Sequence, residues 1–326
     1  MSSSRRVLAD VAIDVTSDDP SLDRELALTL GSRIAGVQRV LSIVLATDPA
    51  DAGSSLATFH AEDHTAFTVD DLILALGSAD FPFRLVTPEE PGWTSFAWRD
   101  ERETLFSFRE KHCRIRKRPG WQRALSILIL HRVFRLRSDA IFFHAAAVGI
   151  GGRGVLIVGP KGRGKSTTSL ALASRGHEFL GDETACYVPA RRKLVPVLRP
   201  VGIKPGPSSR AVEAALGATG TRGEPILRLD VELVFPGGPE ARPLPLFAIL
   251  FLEPFAPRPV LEPVGASTAD IARLQPVSSS LVNAPKARRA FELGRMLAFS
   301  RVFRLSPGDP DDTAALVERT IGGFPS

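Results

Sequence analysis

The most constraining feature of this 326-residue chain is a glycine-rich segment that ends in a lysine and a serine. It reads Gly159-Pro160-Lys161-Gly162-Arg163-Gly164-Lys165-Ser166, a complete G-x-x-x-x-G-K-S pattern. Glycines let the backbone curl so that successive N–H groups point at phosphate oxygens. The lysine of the pattern reaches the β- and γ-phosphates, and the serine hydroxyl can hold Mg2+. We therefore predict that residues 159–166, with the following Thr167, bind a nucleotide polyphosphate.

The sequence on both sides fits such a loop. Residues 155–158 form a short apolar run typical of a buried strand, and residues 166–174 are typical of a helix. A helix that begins here directs its partial positive charge at the phosphates. The alternative is a glycine-rich surface turn, which would require the lysine, the hydroxyl and both flanks to coincide.

Composition limits the classes of protein to consider. Hydrophobic residues make up 44% of the chain and charged residues 24%, an ordinary balance for a soluble protein with enough length for two domains. No apolar run approaches the roughly 20 residues that cross a bilayer, and the N-terminus lacks a secretory core. We expect a cytoplasmic protein with no membrane partner. Only Cys113 and Cys186 are present, which disfavours a disulfide framework or a zinc site.

The net charge of +5 permits an acidic partner without requiring one. The densest basic cluster, residues 114–118, fits a solvated strand end better than a nucleic-acid surface. We expect no nucleic-acid partner.

The pattern of short elements predicts two domains. Residues 1–115 contain no recognisable catalytic group and are interpreted as a small accessory α+β domain. Its predicted elements are strands at 7–15 and 40–45, a helix at 22–35, and a hairpin formed by 93–98 and 104–108. Residues 116–326 form the second predicted domain, whose boundary is marked by Pro119-Gly120.

The second domain alternates strands and helices, which favours an α/β fold. The predicted helices are 121–135, 166–174, 210–216, 284–298 and 311–321, the last capped near Asp309. The predicted strands are 141–148, 155–158, 178–180, 184–188, 193–198 and 247–252.

Two adjacent acids could add chemistry to phosphate binding. Asp182 and Glu183 end a predicted strand 17 residues after Lys165. One helix and one short returning strand would bring them back beside the γ-phosphate, where one carboxylate can hold Mg2+ and the other can accept a hydroxyl proton. A Gly-Asp turn between two strands is the alternative interpretation.

His144 is a further candidate, because aromatic residues precede it and small residues follow it in Phe142-Phe143-His144-Ala145-Ala146-Ala147. This setting would let the imidazole approach a ligand closely. A core histidine with satisfied hydrogen bonds remains the alternative.

Residues 144–188 resemble the catalytic domain of HPr kinase/phosphorylases. In that family a histidine strand precedes the phosphate loop, and the loop helix ends in Arg-Gly-His, here Arg175-Gly176-His177, before a strand that carries paired acids. The resemblance is weak over the C-terminal third and does not extend to residues 1–115. It implies an α/β P-loop kinase core of the phosphoenolpyruvate carboxykinase type, with ATP and Mg2+ as cofactors.

The resemblance also implies roles for single residues. Asp182 would be the base that activates the acceptor hydroxyl, Ser166 and Glu183 would lie near the metal, and His144 would lie close to the transferring phosphate. Arg242 is a candidate for an arginine that the family places ahead of a later strand.

Three departures from the family pattern narrow the expected activity. Glu183 stands where the family usually has aspartate, Thr167 stands where an acid is common, and the glycine-rich segment that supports phosphorolysis is not found. Kinase activity is therefore better supported than phosphorylase activity. The chain looks more like the divergent enzymes of peptide-modification clusters, including lasso peptide kinases that phosphorylate a precursor peptide on serine.

The expected function is thus a Mg2+-dependent ATP:serine kinase that acts on a peptide or small protein, with a homo-oligomer allowed. Two alternatives stay open: a kinase for a free hydroxylated metabolite, and a nucleotide-binding regulator that transfers nothing.

Overall fold

The computed structural model describes residues 2–19, 22, 26, 39–48, 51–61, 82–109, 112–199, 201–203, 221–223, 226–229, 241–279 and 286–325. The described residues divide into two compact units, one ending at Val133 and the other beginning at Phe134. The predicted domain boundary after residue 115 remains a prediction. The predicted helix at 210–216 and most of the one at 22–35 lie outside the described residues.

The first unit contains an eight-stranded sheet in the order β1-β2-β3-β4-β8-β7-β6-β5. Its strands are β1 (Ser2–Leu8), β2 (Val11–Ser17), β3 (Arg39–Asp48), β4 (Asp51–Ala61), β5 (Phe83–Val86), β6 (Thr94–Trp98), β7 (Phe106–Arg109) and β8 (His112–Arg116). The predicted hairpin of residues 93–98 and 104–108 is confirmed by the antiparallel pairing of β6 with β7.

Aromatic packing holds this end of the sheet together. Phe96 pairs with Phe106 across β6 and β7, and their stacked rings lie 5.0 Å apart between centroids. The Phe83 ring meets the Phe106 ring edge-on at 4.8 Å. All three side chains are almost fully buried, which contributes about 1.5–3 kcal/mol each.

The single strand predicted at residues 7–15 is wrong. The chain instead turns at Ala9 and Asp10, whose φ angles are 51° and 61°, and β1 pairs back on β2. Left-handed backbone is uncommon for residues other than glycine, so the sequence carries no strong signal for this turn.

The remaining elements run from residue 121 to residue 322. The helices are α1 (Trp121–Leu136), α2 (Lys165–Ser174), α3 (Thr268–Leu274), α4 (Lys286–Ala298) and α5 (Pro310–Gly322). The strands are β9 (Ile141–Phe143), β10 (Ala146–Ile150), β11 (Arg153–Val158), β12 (Glu178–Gly181), β13 (Ala185–Val188), β14 (Lys193–Val195), β15 (Val201–Ile203), β16 (Thr221–Gly223), β17 (Ile226–Leu229), β18 (Leu244–Leu252), β19 (Val260–Val264), β20 (Ser278–Ser279) and β21 (Arg301–Ser306). None of the described helices is long and apolar enough to span a bilayer.

Four strands of the second unit point in the same direction. β18 is parallel to both β11 and β21, and β10 is antiparallel to both β11 and β12. In the order β12-β10-β11-β18-β21, the carboxyl ends of β12, β11, β18 and β21 therefore share one edge of the sheet. Ligands of α/β proteins commonly bind at such an edge.

The central strands are apolar because both faces of this sheet are covered. On one face, Val155 and Ile157 of β11 pack with Leu172 of α2 and with Val317 and Ile321 of α5. The other face packs against a second layer formed by residues of β9, β13, β14, α3 and α4. The predicted mixed α/β class is confirmed, whereas the carboxykinase-type core remains a prediction.

The strand predicted at 141–148 is divided in the structure. β9 pairs with β13 and β20, and β10 pairs with β11 and β12, so His144 and Ala145 cross from one layer to the other. The returning chain makes the same crossing at residues 182–184. The two crossings lie side by side, since Phe143 is paired with Ala185 at one end and Ala147 with Gly181 at the other.

Candidate active site

The loop of residues 159–166 leaves β11 at the shared carboxyl edge and enters α2. Gly162 and Gly164 have φ angles of 81° and 92°, a region that strains any residue with a side chain. Gly164 directly precedes α2, and its carbonyl accepts a hydrogen bond from the Thr168 N–H at 2.8 Å. The N-terminus of α2 therefore opens at the loop, as an anion site requires.

Lys165 is folded back over this loop. Its Nζ donates to the carbonyl oxygens of Gly159 at 2.7 Å and Pro160 at 3.2 Å, and the residue is only 8% exposed. Burial lowers the pKa of Lys165, and the negative charges of Asp182 and Glu183 raise it in part. An ammonium has three donors, so one N–H remains for a ligand.

Asp182 follows the last residue of β12 at the same edge. It is 5% exposed, and among the described residues neither carboxylate oxygen has a hydrogen-bond partner. Burial and, to a smaller extent, the charge of Glu183 raise the pKa of Asp182 to about 6, while the Ser166 hydroxyl, the Glu183 N–H and the charge of Lys165 lower it in part. The hydroxyl and the N–H are near enough to have this effect, but neither forms a hydrogen bond of ordinary geometry with the carboxylate. A buried carboxylate with few partners is costly, and taking up a proton relieves that cost.

Glu183 differs from its neighbour in exposure and backbone. Its side chain is exposed, and its φ of 57° lies in the left-handed region, which is costly for a residue with a side chain. The turn is tight at Gly181, where a Cβ atom would lie 2.8 Å from the Thr184 carbonyl oxygen. The pair therefore presents one buried and one exposed carboxylate at a rigid corner.

His144 lies in the crossing beside residues 182–184. Its N–H donates to the Val277 carbonyl at 2.7 Å, which fixes the backbone, and its side chain is exposed. The structure thus brings His144, the two acids and the loop to the same edge of the sheet.

The donor set fits a magnesium ion held together with phosphates. Within the described part of the chain, no group of three or more His, Cys, Asp or Glu side chains could hold a metal. Mg2+ is usually bound by one or two carboxylates with water and substrate phosphates completing its shell. The exposed Glu183 carboxylate and the Ser166 hydroxyl match that description, and the buried Asp182 carboxylate lies beside them.

Arg242 is not brought to this edge. It is exposed and lies two residues before β18, at the amino end of a strand that runs parallel to β11. The nine residues of β18 extend over roughly 30 Å at about 3.3 Å each. Its position gives no support to a catalytic role.

The chain was compared with known proteins. No protein-family model matches the chain. It is 31% identical over 117 residues to HPr kinase/phosphorylase from Cupriavidus metallidurans. Over that stretch the chain is similar to an HPr kinase/phosphorylase. The match covers 34% of this chain and 36% of that relative, so it spans about a third of the length of the protein it matches.

A solved structure of the Hpr(Ser) kinase/phosphatase from Coxiella burnetii is also similar, at 18% identity and a TM-score of 0.29. The superposition covers 56% of this chain and 94% of the other.

One residue beside the loop was not predicted from the sequence. Phe255 follows β18, and its ring lies 3.4 Å from the point where a Cβ atom of Gly164 would stand. The sequence shows only that an aromatic residue follows a predicted buried strand. The parallel pairing of β18 with β11 is what brings this residue next to the loop.

Proposed function

We propose that the protein is a Mg2+-dependent kinase that transfers the γ-phosphoryl group of ATP to a serine hydroxyl of a peptide or small protein. The observation that carries this proposal is Asp182, a buried carboxylate that accepts no hydrogen bond of ordinary geometry from the described residues and lies at the edge that also bears the 159–166 loop. Binding alone needs no such group, whereas transfer to a hydroxyl needs a proton acceptor.

Each group of the site has one role in the proposed reaction. The serine oxygen forms a bond to the γ-phosphorus, the bond from that phosphorus to the β–γ bridging oxygen breaks, and ADP leaves. Asp182 accepts the serine proton. The loop N–H groups and Lys165 hold the phosphates, and Mg2+, when bound near Ser166 and Glu183, neutralises phosphate charge.

The choice of a peptide or protein acceptor rests on the relationship to HPr kinase/phosphorylase, a protein named for its action on HPr. The net charge of +5 adds support, because it favours association with an acidic acceptor.

The direct test is to incubate the full chain with γ-labelled ATP, Mg2+ and a panel of serine-containing peptides and hydroxylated metabolites. We expect one phosphate on a peptide, lost when a single serine is changed to alanine. Label found only on a metabolite would replace the proposal with a small-molecule kinase. Bound nucleotide without transfer to any acceptor would indicate a regulator.

The rate of phosphoryl transfer should fall at acidic pH. With a pKa of about 6 in the folded protein, Asp182 is mostly ionised at pH 7.5 and becomes protonated as the pH falls through 6, where it can no longer accept a proton. We expect kcat/KM to fall about tenfold per pH unit below that value. The measurement is kcat/KM from pH 5 to 8, with ATP binding followed over the same range. A flat profile would exclude Asp182 as the base.

A further inference from the structure

Phe255 is a large apolar side chain that the fold leaves in water beside the loop. It is 56% exposed, and ring atoms Cζ and Cε1 lie 3.4 and 3.5 Å from the position that a Cβ atom of Gly164 would take. Burial of a phenylalanine normally favours folding, and an exposed ring beside the loop leaves an apolar aromatic face free for a ligand.

The side of the loop on which Phe255 lies is equally informative. In the strand order β12-β10-β11-β18-β21, Asp182 ends the strand on one side of β11, and Phe255 follows the strand on the other side. A nucleotide whose γ-phosphate faces Asp182 must extend its nucleoside in the opposite direction. That direction leads to the ends of β18 and β21, where Pro307 comes within 4.0 Å of the same Gly164 position.

The ring is carried by a segment that the backbone holds in place. The Glu253 N–H donates to the Leu305 carbonyl and the Ala256 N–H donates to the Pro307 carbonyl, each at 2.8 Å. Gly308 permits this closure, because a Cβ atom there would lie 2.9 Å from the Pro259 nitrogen. Because the backbone that carries the ring is ordered before the ligand arrives, less freedom is lost on binding.

We propose that Phe255 forms the nucleobase subsite of this protein, with the base of a purine nucleotide stacked on its exposed face. The inference rests on the proposed nucleotide-binding function and adds the residue that holds the base. Stacking on an aromatic ring accepts any base, so ATP and GTP should bind with similar affinity unless other groups select between them.

The test separates the base from the phosphates. Isothermal titration of the full chain with ATP and with inorganic tripolyphosphate compares ligands that share the phosphate chain and differ in the nucleoside. Phe255→Ala should weaken ATP binding roughly 5- to 100-fold and leave tripolyphosphate binding unchanged. Phe255→Trp should retain ATP binding, and ATP but not tripolyphosphate should quench the added indole fluorescence.

A matched control is available in the same unit. Phe291 of α4 is a phenylalanine of similar exposure, at 64%, and Phe291→Ala should bind both ligands like the unchanged protein. Equal weakening of ATP and tripolyphosphate by Phe255→Ala would mean that the ring only supports the loop. Unchanged ATP binding in that variant would remove the subsite while leaving the proposed function intact. Failure of the unchanged protein to bind either ligand would overturn both.

Discussion

Replacement of Lys165 by alanine is expected to abolish phosphoryl transfer and to weaken ATP binding about 100-fold or more. The ammonium is buried at the mouth of α2, where its charge is poorly screened and where it donates to two loop carbonyls. A charge-assisted hydrogen bond contributes about 1.5–3 kcal/mol, and the poorly screened positive charge adds to the one N–H that remains for the phosphates, most of all in the transition state.

Titration calorimetry with ATP and steady-state transfer assays measure the two losses. Lys117→Ala, which removes an exposed lysine of the first unit, is the control for the change in net charge. Lys165→Arg keeps the charge but changes the shape of the donor, so its failure would show that position as well as charge is required. Near-normal turnover by Lys165→Ala would contradict the nucleotide-binding role of the whole loop.

Asp182→Asn is expected to lower turnover by about 100- to 10,000-fold while ATP affinity is retained. The amide has nearly the same shape but cannot take up a proton, and general-base catalysis contributes on this scale. Comparison of kcat with the ATP dissociation constant checks the prediction. If ATP affinity falls as much as turnover, Asp182 belongs on the metal and Glu183 becomes the better candidate for the base.

Without ligand, the Asp182→Asn variant should be more stable than the unchanged protein at pH 8. Burial raises the pKa of Asp182 from 3.8 to about 6, so the folded state binds the proton more tightly than the unfolded state. This group's contribution to stability is therefore fully present below pH 3.8 and is lost as the pH rises through 6. The free energy of unfolding lost in this way is on the order of 3 kcal/mol. A neutral asparagine at this position carries no charge into the buried site and so avoids this loss.

Urea unfolding of the full chain at pH 5 and pH 8 measures this effect, with Asp100→Asn, a change in an exposed turn of the first unit, as the control. We expect the free energy of unfolding of Asp182→Asn to exceed that of the unchanged protein by more at pH 8 than at pH 5. The same difference in the free energy of unfolding at both pH values would mean that the Asp182 carboxylate is not held in an unfavourable buried environment.

Local patterns in the sequence determined the elements that make their own hydrogen bonds. The glycines of the 159–166 loop and the apolar runs on both sides predict the strand, loop and helix that the structure has at this position. Asp309 caps α5 by accepting from the N–H groups of Asp311 and Asp312, as its place in the sequence predicts. These features depend on backbone freedom and side chains within a few residues, so they can be read without a tertiary structure.

The tertiary structure decided what depends on distant strands. β18, which pairs directly with β11, lies more than 80 residues further along the chain, and this pairing puts Phe255 against Gly164 and leaves Arg242 at the opposite edge. The crossing at His144 exists because its flanking strands pair with different partners. The raised pKa of Asp182 has the same origin, because the desolvation of a carboxylate is set by every chain segment packed around it. The sequence identifies the candidate catalytic and binding residues, whereas their burial and mutual positions follow from the order of the strands.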